Sequence, residues 1–344
     1  MVAINSNFSA ARYDLNLRGK KVLVTGATGF LGSHLCQTLA ALSNDVHGIS
    51  REPQTSSVGL RWWHADLCDL GLTRSLINEI RPDVIFHLTT HGWGALGLDH
   101  VQPSLYSDVV ATVNLLTAAT EVKIRRLVLT GSSEEPPAGK PEFVPVSPYA
   151  TAKWVCSAYA RMFHGLYQTP AVIVRVFMTY GPRQPTRKLI PYTILSLLDG
   201  RRPEVLNGER LIDWVYVDDV IAGIISAGQA PDVEGSTIDV GSGTLVSIRE
   251  VVGQLVSLIK PDLHPLYGST PSTPVGVVRA ANVIESFQRI GWKPARSLAE
   301  GLELTIEWYR AKLNENACAS QTETAAHERN QPETNDSPES RSRS

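Results

Sequence analysis

Short apolar runs alternate with stretches of helical spacing through the first half of the chain. Strand-like runs, too short for helices, stand at 20–25, 45–50, 84–88, 126–130 and 171–176. They read as buried parallel strands, apolar on both faces. Between them, apolar residues recur at helical spacing over 30–42, 73–80, 105–121 and 149–167, as in Leu31, Leu35, Leu39 and Leu42. Strand–helix alternation of this kind predicts an α/β fold, a doubly wound parallel sheet with helices on both faces. After Pro182 the texture changes: helices at 189–198, 218–227 and 248–259, short strands at 205–206 and 211–217, and a final helix at 298–313. Residues 314–344 are rich in Glu, Asn, Ser, Thr and Arg with almost no large apolar side chain. That composition cannot offset the entropy of ordering, so a disordered tail is expected.

Composition changes this picture little but excludes several roles. The 344 residues are 43% hydrophobic and 19% charged, ordinary for a globular protein with a sizeable core. A formal net charge of -2 provides no electrostatic footprint for nucleic acid or an anionic membrane. No run approaches the ~20 apolar residues of a membrane span, and residues 1–18 lack a signal peptide's apolar core. Cys36, Cys68, Cys156 and Cys318 are far apart and form no C-x-x-C. No metal or disulfide is expected, and the cytoplasm is the expected compartment.

Two motifs carry the chemistry. The β-branched run Lys21–Thr25 leads directly into Gly26-Ala27-Thr28-Gly29-Phe30-Leu31-Gly32, and the helical spacing starts inside the glycines. At a strand–helix junction, glycines let backbone N–H groups and a helix N-terminus approach a pyrophosphate. The second motif is Tyr149-Ala150-Thr151-Ala152-Lys153, behind the helix start Ser147-Pro148. Spacing of i, i+4 puts phenol and ammonium on one face. A phenol titrates near pH ~10, and a neighbouring cation lowers that value toward useful acid–base work.

With these motifs in order, the chain resembles the extended short-chain dehydrogenase/reductases, the NAD-dependent epimerase/dehydratase family, over roughly 20–313. Supporting segments are Val84-Ile85-Phe86-His87-Leu88, Arg175-Val176-Phe177-Met178-Thr179-Tyr180-Gly181-Pro182, Asp213-Trp214-Val215-Tyr216-Val217-Asp218-Asp219-Val220 and Ile290-Gly291-Trp292-Lys293-Pro294. The resemblance implies a Rossmann domain mainly over 20–182, behind an N-terminal extension at 1–19. A smaller substrate lobe follows, mainly over 183–313, with the chain crossing between the two. It implies that Gly26, Thr28, Gly29, Phe30, Leu31, Gly32, Asp66, Leu67, Leu88 and Lys153 hold the cofactor. Tyr149, Lys153 and Ser132 would carry the redox step, Ser133 being the competing alignment for the serine. Glu134 matches the proton-abstracting glutamate of the dehydratases, although Glu134-Glu135-Pro136-Pro137 replaces the usual hydrophobic-Tyr-Gly continuation.

Ser50 and Arg51, after the second strand, resemble NADP-type members, while Glu52 leaves NAD open. The implied substrate is a nucleotide-linked sugar, transiently oxidised at C4, and the implied assembly a homodimer. Ser133, Arg210 and Arg279 are the candidate substrate contacts. Three positions depart from the family: Met178 where most members have Asn, Ile212 where most have Arg, and Asp108 where many have Asn. These departures leave open an NADPH-dependent 4-ketoreductase of a nucleotide sugar, or an oxidoreductase of a non-nucleotide substrate.

Overall fold

The computed structural model describes residues 17–42, 44–56, 59–91, 96–137, 139, 143–268 and 276–329. Strand β1 (Lys21–Thr25) leads through the glycine turn into α1 (Phe30–Ala41). There follow β2 (Asp45–Ser50), β3 (Leu60–His64), α2 (Leu70–Ile80), β4 (Val84–His87), α3 (Val101–Ser104), α4 (Ala111–Val122), β5 (Arg126–Ser132), α5 (Pro148–Tyr167) and β6 (Ala171–Val176). The rest comprises β7 (Met178–Tyr180), α6 (Leu189–Leu198), β8 (Glu204–Leu206), β9 (Leu211–Tyr216), α7 (Val217–Gln229), β10 (Thr237–Val240), β11 (Leu245–Ser247), α8 (Ile248–Ile259), β12 (Leu266–Gly268), α9 (Val283–Ile290) and α10 (Leu298–Arg329).

Seven strands form one sheet in the order β10-β6-β5-β4-β1-β2-β3, and every pairing within it is parallel. Helices cover both faces, so the inner strands are largely buried; β5 is buried at all seven positions. The two small sheets, β11-β9-β7 and β12-β8, are built from strands that follow β6 in the chain.

Local chemistry sets the element ends. Ser147 accepts from the Ala150 N–H at 3.1 Å and Pro148 opens α5. Asp69 accepts from Leu72 N at 2.9 Å and starts α2 three residues before the apolar periodicity at 73–80. Ser247 and Glu250 close a capping box on α8.

Four strands were not legible in the pattern beyond β7. Edge strand β3, Leu-Arg-Trp-Trp-His, is only half buried and shows neither an apolar run nor clean alternation. β10 has four residues, yet it returns from the second half to pair with β6, Ile238 opposite Val174. β11 and β12 have three residues each. Helix α7 returns with β10: a Cβ on Gly228 would stand 2.9 Å from Phe86, so this helix lies directly on the central sheet.

Two further expectations are corrected. The single helix expected at 105–121 is divided: Leu105–Val110 is π-helical and α4 begins at Ala111. The wider turn accommodates the buried side chain of Asp108, and such bulges recur at functional sites. The final helix does not end at Leu313 where a disordered tail was expected; α10 continues to Arg329. Ala and Glu are frequent there, and their intrinsic helix preference favours continuation of the helix. Residues 330–344 and 1–16 lie outside the described residues. No helix among the described residues is long and apolar enough to cross a membrane.

Candidate active site

The sheet order reverses around β1, which has β2 on one side and β4 on the other. Ligand crevices of open α/β sheets form at such a switch point. Here it opens into a cavity of about 1310 Å³. Its floor is backbone. Gly26 has φ +64°, and a Cβ there would stand 2.8 Å from the Leu88 carbonyl carbon. A Cβ on Gly32 would stand 2.1 Å from the Gly26 oxygen. Gly29 caps α1 in extended conformation with no side-chain cap, so the first turn faces the cavity without a protein acceptor in front of it. Thr28, Phe30, Leu31 and Leu88 line the same space. A cradle that any Cβ would fill, at a helix N-terminus, fits a dinucleotide pyrophosphate.

Beyond the cradle, Ser50, Arg51, Asp66 and Leu67 line the cavity. Asp66 Oδ1 accepts from Cys68 N at 3.0 Å and shapes the turn after β3. Ser50 Oγ accepts from Glu52 N at 3.1 Å. Glu52 is exposed and does not line the cavity. Behind the floor, His87 is buried between Thr25 Oγ1 at 2.7 Å and Thr112 Oγ1 at 2.9 Å. Burial, reinforced by the charge of Lys153, pushes its pKa down to about 3, so it is a neutral brace.

Ser132, Tyr149 and Lys153 converge at the opposite end of this floor. Lys153 is 4% exposed, and its ammonium donates to the carbonyls of Thr130 at 3.2 Å and Thr89 at 3.4 Å. The Ser132 side chain favours the ionised form of the Tyr149 phenol, and its Oγ accepts from Glu134 N at 3.2 Å. Of the two candidate serines, Ser132 is therefore the one that acts on the phenol. Ser133 lines the cavity and is held by its backbone N–H on Val176 O at 3.1 Å. The phenol is not lowered in this arrangement, contrary to expectation. Burial pushes it above its ordinary range, and the carboxylates of Glu134, Asp108 and Glu135 add to that, against the pull of Ser132. Lys153 shares four-residue spacing with Tyr149, but its ammonium is engaged by two backbone carbonyls, and desolvation prevails.

Glu134 lines the cavity, and its Oε2 is buried without a hydrogen bond among the described residues. Asp108 lies behind the lining, 1% exposed, with Oδ1 accepting from His91 N at 2.9 Å. Burial pushes its carboxyl up to about 6, against the pull of the Lys153 charge and of the His91 N–H.

Residues from the later half of the chain complete the cavity wall. Arg210 lines it, as expected, and so do Lys188, Arg249 and Tyr267, which no local pattern singled out. The Arg249 guanidinium lies 4.0 Å over the Tyr267 ring and pairs with Glu209 at 2.6 Å. Burial pushes the Lys188 ammonium down, and the charge of Glu134 opposes that. The Ser247/Glu250 capping signature marks a helix start near Arg249, not a binding role. Met178 faces the cavity, whereas Ile212 packs on the core. Arg279 is not among the lining residues: its guanidinium donates to the Glu135 carbonyl. Among the described residues, no cluster of His, Cys, Asp and Glu is suited to a metal ion.

The profile of the NAD dependent epimerase/dehydratase family matches residues 22–241. The UDP-glucose 4-epimerase of Mycolicibacterium smegmatis is 33% identical over 321 residues, 85% of this chain and 99% of that protein. The dTDP-D-glucose 4,6-dehydratase of Homo sapiens is 24% identical over 328 residues, 86% of this chain and 91% of that protein. Among solved structures, MoeE5 in complex with UDP-glucuronic acid and NAD is similar with TM-score 0.73 and 29% identity, over 85% of this chain and 99% of that one. The Thermotoga maritima UDP-glucose 4-epimerase with UDP-glucose has TM-score 0.77 at 22% identity, over 85% and 99% respectively, a likeness of fold.

Proposed function

The chain belongs to the NAD dependent epimerase/dehydratase family, and we propose that it is an enzyme that transiently oxidises C4 of a nucleotide-linked sugar. The observation that carries this reading is a single cavity lined by both the glycine cradle and the Ser132, Tyr149 and Lys153 side chains. Lys188, Arg210 and Arg249 line the remaining part and supply cations suited to a diphosphate. A relative at 33% identity bears the name of a UDP-glucose 4-epimerase.

In this proposal Gly26, Thr28, Gly29, Phe30, Leu31 and Gly32 hold the cofactor pyrophosphate. Asp66 and Leu67 face its adenosine, and Leu88 and Lys153 its nicotinamide riboside. The nicotinamide, when bound, supplies the hydride acceptor and, in its oxidised form, a positive charge. Tyr149 takes the proton of the C4 hydroxyl, and Ser132 holds that oxygen. The buried phenol keeps its own proton until positive charge gathers beside it, so base strength is coupled to site loading. We infer NADP as the preferred cofactor, because Arg51 lines the cavity and Glu52 does not. Arg51→Ala is expected to weaken NADPH by ~1–3 kcal/mol and leave NADH unaffected. A native protein that prefers NADH several-fold in titration overturns this choice.

A second reading rests on Glu134, whose Oε2 is buried and without a hydrogen bond among the described residues. A carboxylate beside Ser132 is suited to abstract the proton next to a C4 ketone, as elimination requires. UDP-glucose, UDP-glucuronate and dTDP-glucose incubated in D₂O and followed by NMR separate the two. Epimerisation without deuterium supports the first reading. Deuterium next to C4, abolished in Glu134→Gln while cofactor reduction persists, supports the second. No turnover of any nucleotide sugar defeats both.

We also infer a cytoplasmic homodimer. Cys36, Cys68 and Cys156 are free thiols, and Val101, Leu105 and Tyr106 keep apolar surface exposed on the α3 side of the molecule. A monomer mass by light scattering at micromolar concentration counts against the dimer.

A further inference from the structure

Immediately after the catalytic turn stands a second carboxylate that the proposed chemistry does not use. Glu135 is 2% exposed. Its Oε1 accepts from the Ser132 backbone N–H at 2.8 Å and from Ser157 Oγ at 3.0 Å. Its own N–H donates to the Ser132 carbonyl at 3.1 Å. Ser132 is thus bound at both of its backbone groups by the same residue. The carboxylate occupies space that Gly131 leaves open, since a Cβ there would lie 2.4 Å from Oε1. The Glu135 carbonyl receives Arg279, whose segment is pinned in turn by Ala281 N on Asp213 at 2.8 Å. Arg175 and Arg161 offset its charge, while burial pushes its pKa up.

A buried carboxylate on a strand-end turn is costly unless its hydrogen bonds are made. Here those bonds converge on the one peptide whose side chain acts on the phenol. They also determine which way the turn faces: Glu135 points inward to α5 and Glu134 outward into the cavity. We propose that Glu135 is a positioning residue that acts through Ser132, holding its peptide so that Oγ meets Tyr149 and Glu134 faces the substrate. This rests on the proposed role of Ser132 in turnover. Displacement of a reacting group by about 1 Å lowers rates by ~10²-fold, so the effect belongs in kcat.

The test is a double-mutant cycle on turnover of the nucleotide sugar that the wild type converts, with cofactor titration and amide exchange as substrate-free controls. Glu135→Ala is expected to lower kcat by ~10- to 100-fold with KM and cofactor affinity within about threefold. The same change in a Ser132→Ala background is expected to cost less than about twofold, because the two act as one unit. Glu135→Gln keeps the acceptor oxygen and is expected to restore kcat to within about threefold of wild type. The Ser132 amide exchanges slowly in the wild type and fast in Glu135→Ala.

Equal losses in both backgrounds, or a Gln variant as impaired as Ala, overturn the proposal. If Glu135→Ala does not fold, Ser157→Ala replaces it in the same cycle. It removes one donor to Oε1, and its loss of kcat must again vanish when Ser132 is absent. A Ser132→Ala enzyme with full activity defeats the role of Ser132 itself; a slow one beside an unimpaired Glu135→Ala defeats only the positioning role.

Discussion

The two ends of the cavity are built by opposite means. At the proposed cofactor end the wall is main chain: Gly26 has no space for a methyl group against the turn after β4, and Gly32 has none against the Gly26 and Ala27 backbone. At the proposed substrate end the wall is side chain, with Lys188 from the start of α6, Arg210 before β9, Arg249 from α8 and Tyr267 from β12. A backbone cradle recognises a feature common to every dinucleotide and tolerates almost no substitution. A wall of long side chains from four separate elements can be exchanged one residue at a time, and specificity follows from such exchange. The Met178 and Ile212 departures lie in this second kind of wall or beside it.

Gly32→Ala is expected to have the largest effect. The new methyl group meets backbone, which cannot yield without shifting the β1–α1 turn. Cofactor affinity should fall by ~10³-fold, ~4 kcal/mol, or folding should fail; fluorescence titration and circular dichroism distinguish these. Normal binding by this variant would break the contrast at its strongest point. Tyr149→Phe comes next: turnover should fall ~10²-fold or more while cofactor titration is unchanged. Lys188→Gln sharpens the other side. Substrate KM should rise by ~10-fold, the size of one lost charge-assisted hydrogen bond, with cofactor affinity constant. A parallel fall in cofactor affinity would show that the two ends are not separable.

Asp108→Asn should have the smallest effect, and it concerns stability. Because burial raises this carboxyl from the ordinary 3.8 to about 6, its contribution to stability is fully present below pH ~4 and lost as pH rises through about 6. At pH 7.5 the ionised form is a burden that Asn removes, so the variant should gain ~1–2 kcal/mol, a few degrees in Tm. At pH 4 the gain should vanish. Thermal melts across that range check the sign, and a gain at low pH only would contradict it.

The sequence by itself determined the parallel sheet, the glycine turn between β1 and α1, and the helix that carries Tyr149 and Lys153. Each depends on residues adjacent in the chain: apolar runs of buried strands, glycines at one turn, and i, i+4 spacing behind Ser147-Pro148. The capping of α5 and the glycine contacts follow directly from those residues. Only the tertiary structure decided the rest. Strand β10, four residues long, joins the central sheet because β6 offers it an edge. Glu134 and Glu135 are indistinguishable neighbours in the chain, but one lines the cavity and the other is buried against Ser157. Arg279 donates to a backbone carbonyl, and Arg249 takes up a position at the cavity wall. The reason is physical: a backbone conformation is limited by its own residues, whereas the direction and partner of a long polar side chain depend on which distant elements pack around it.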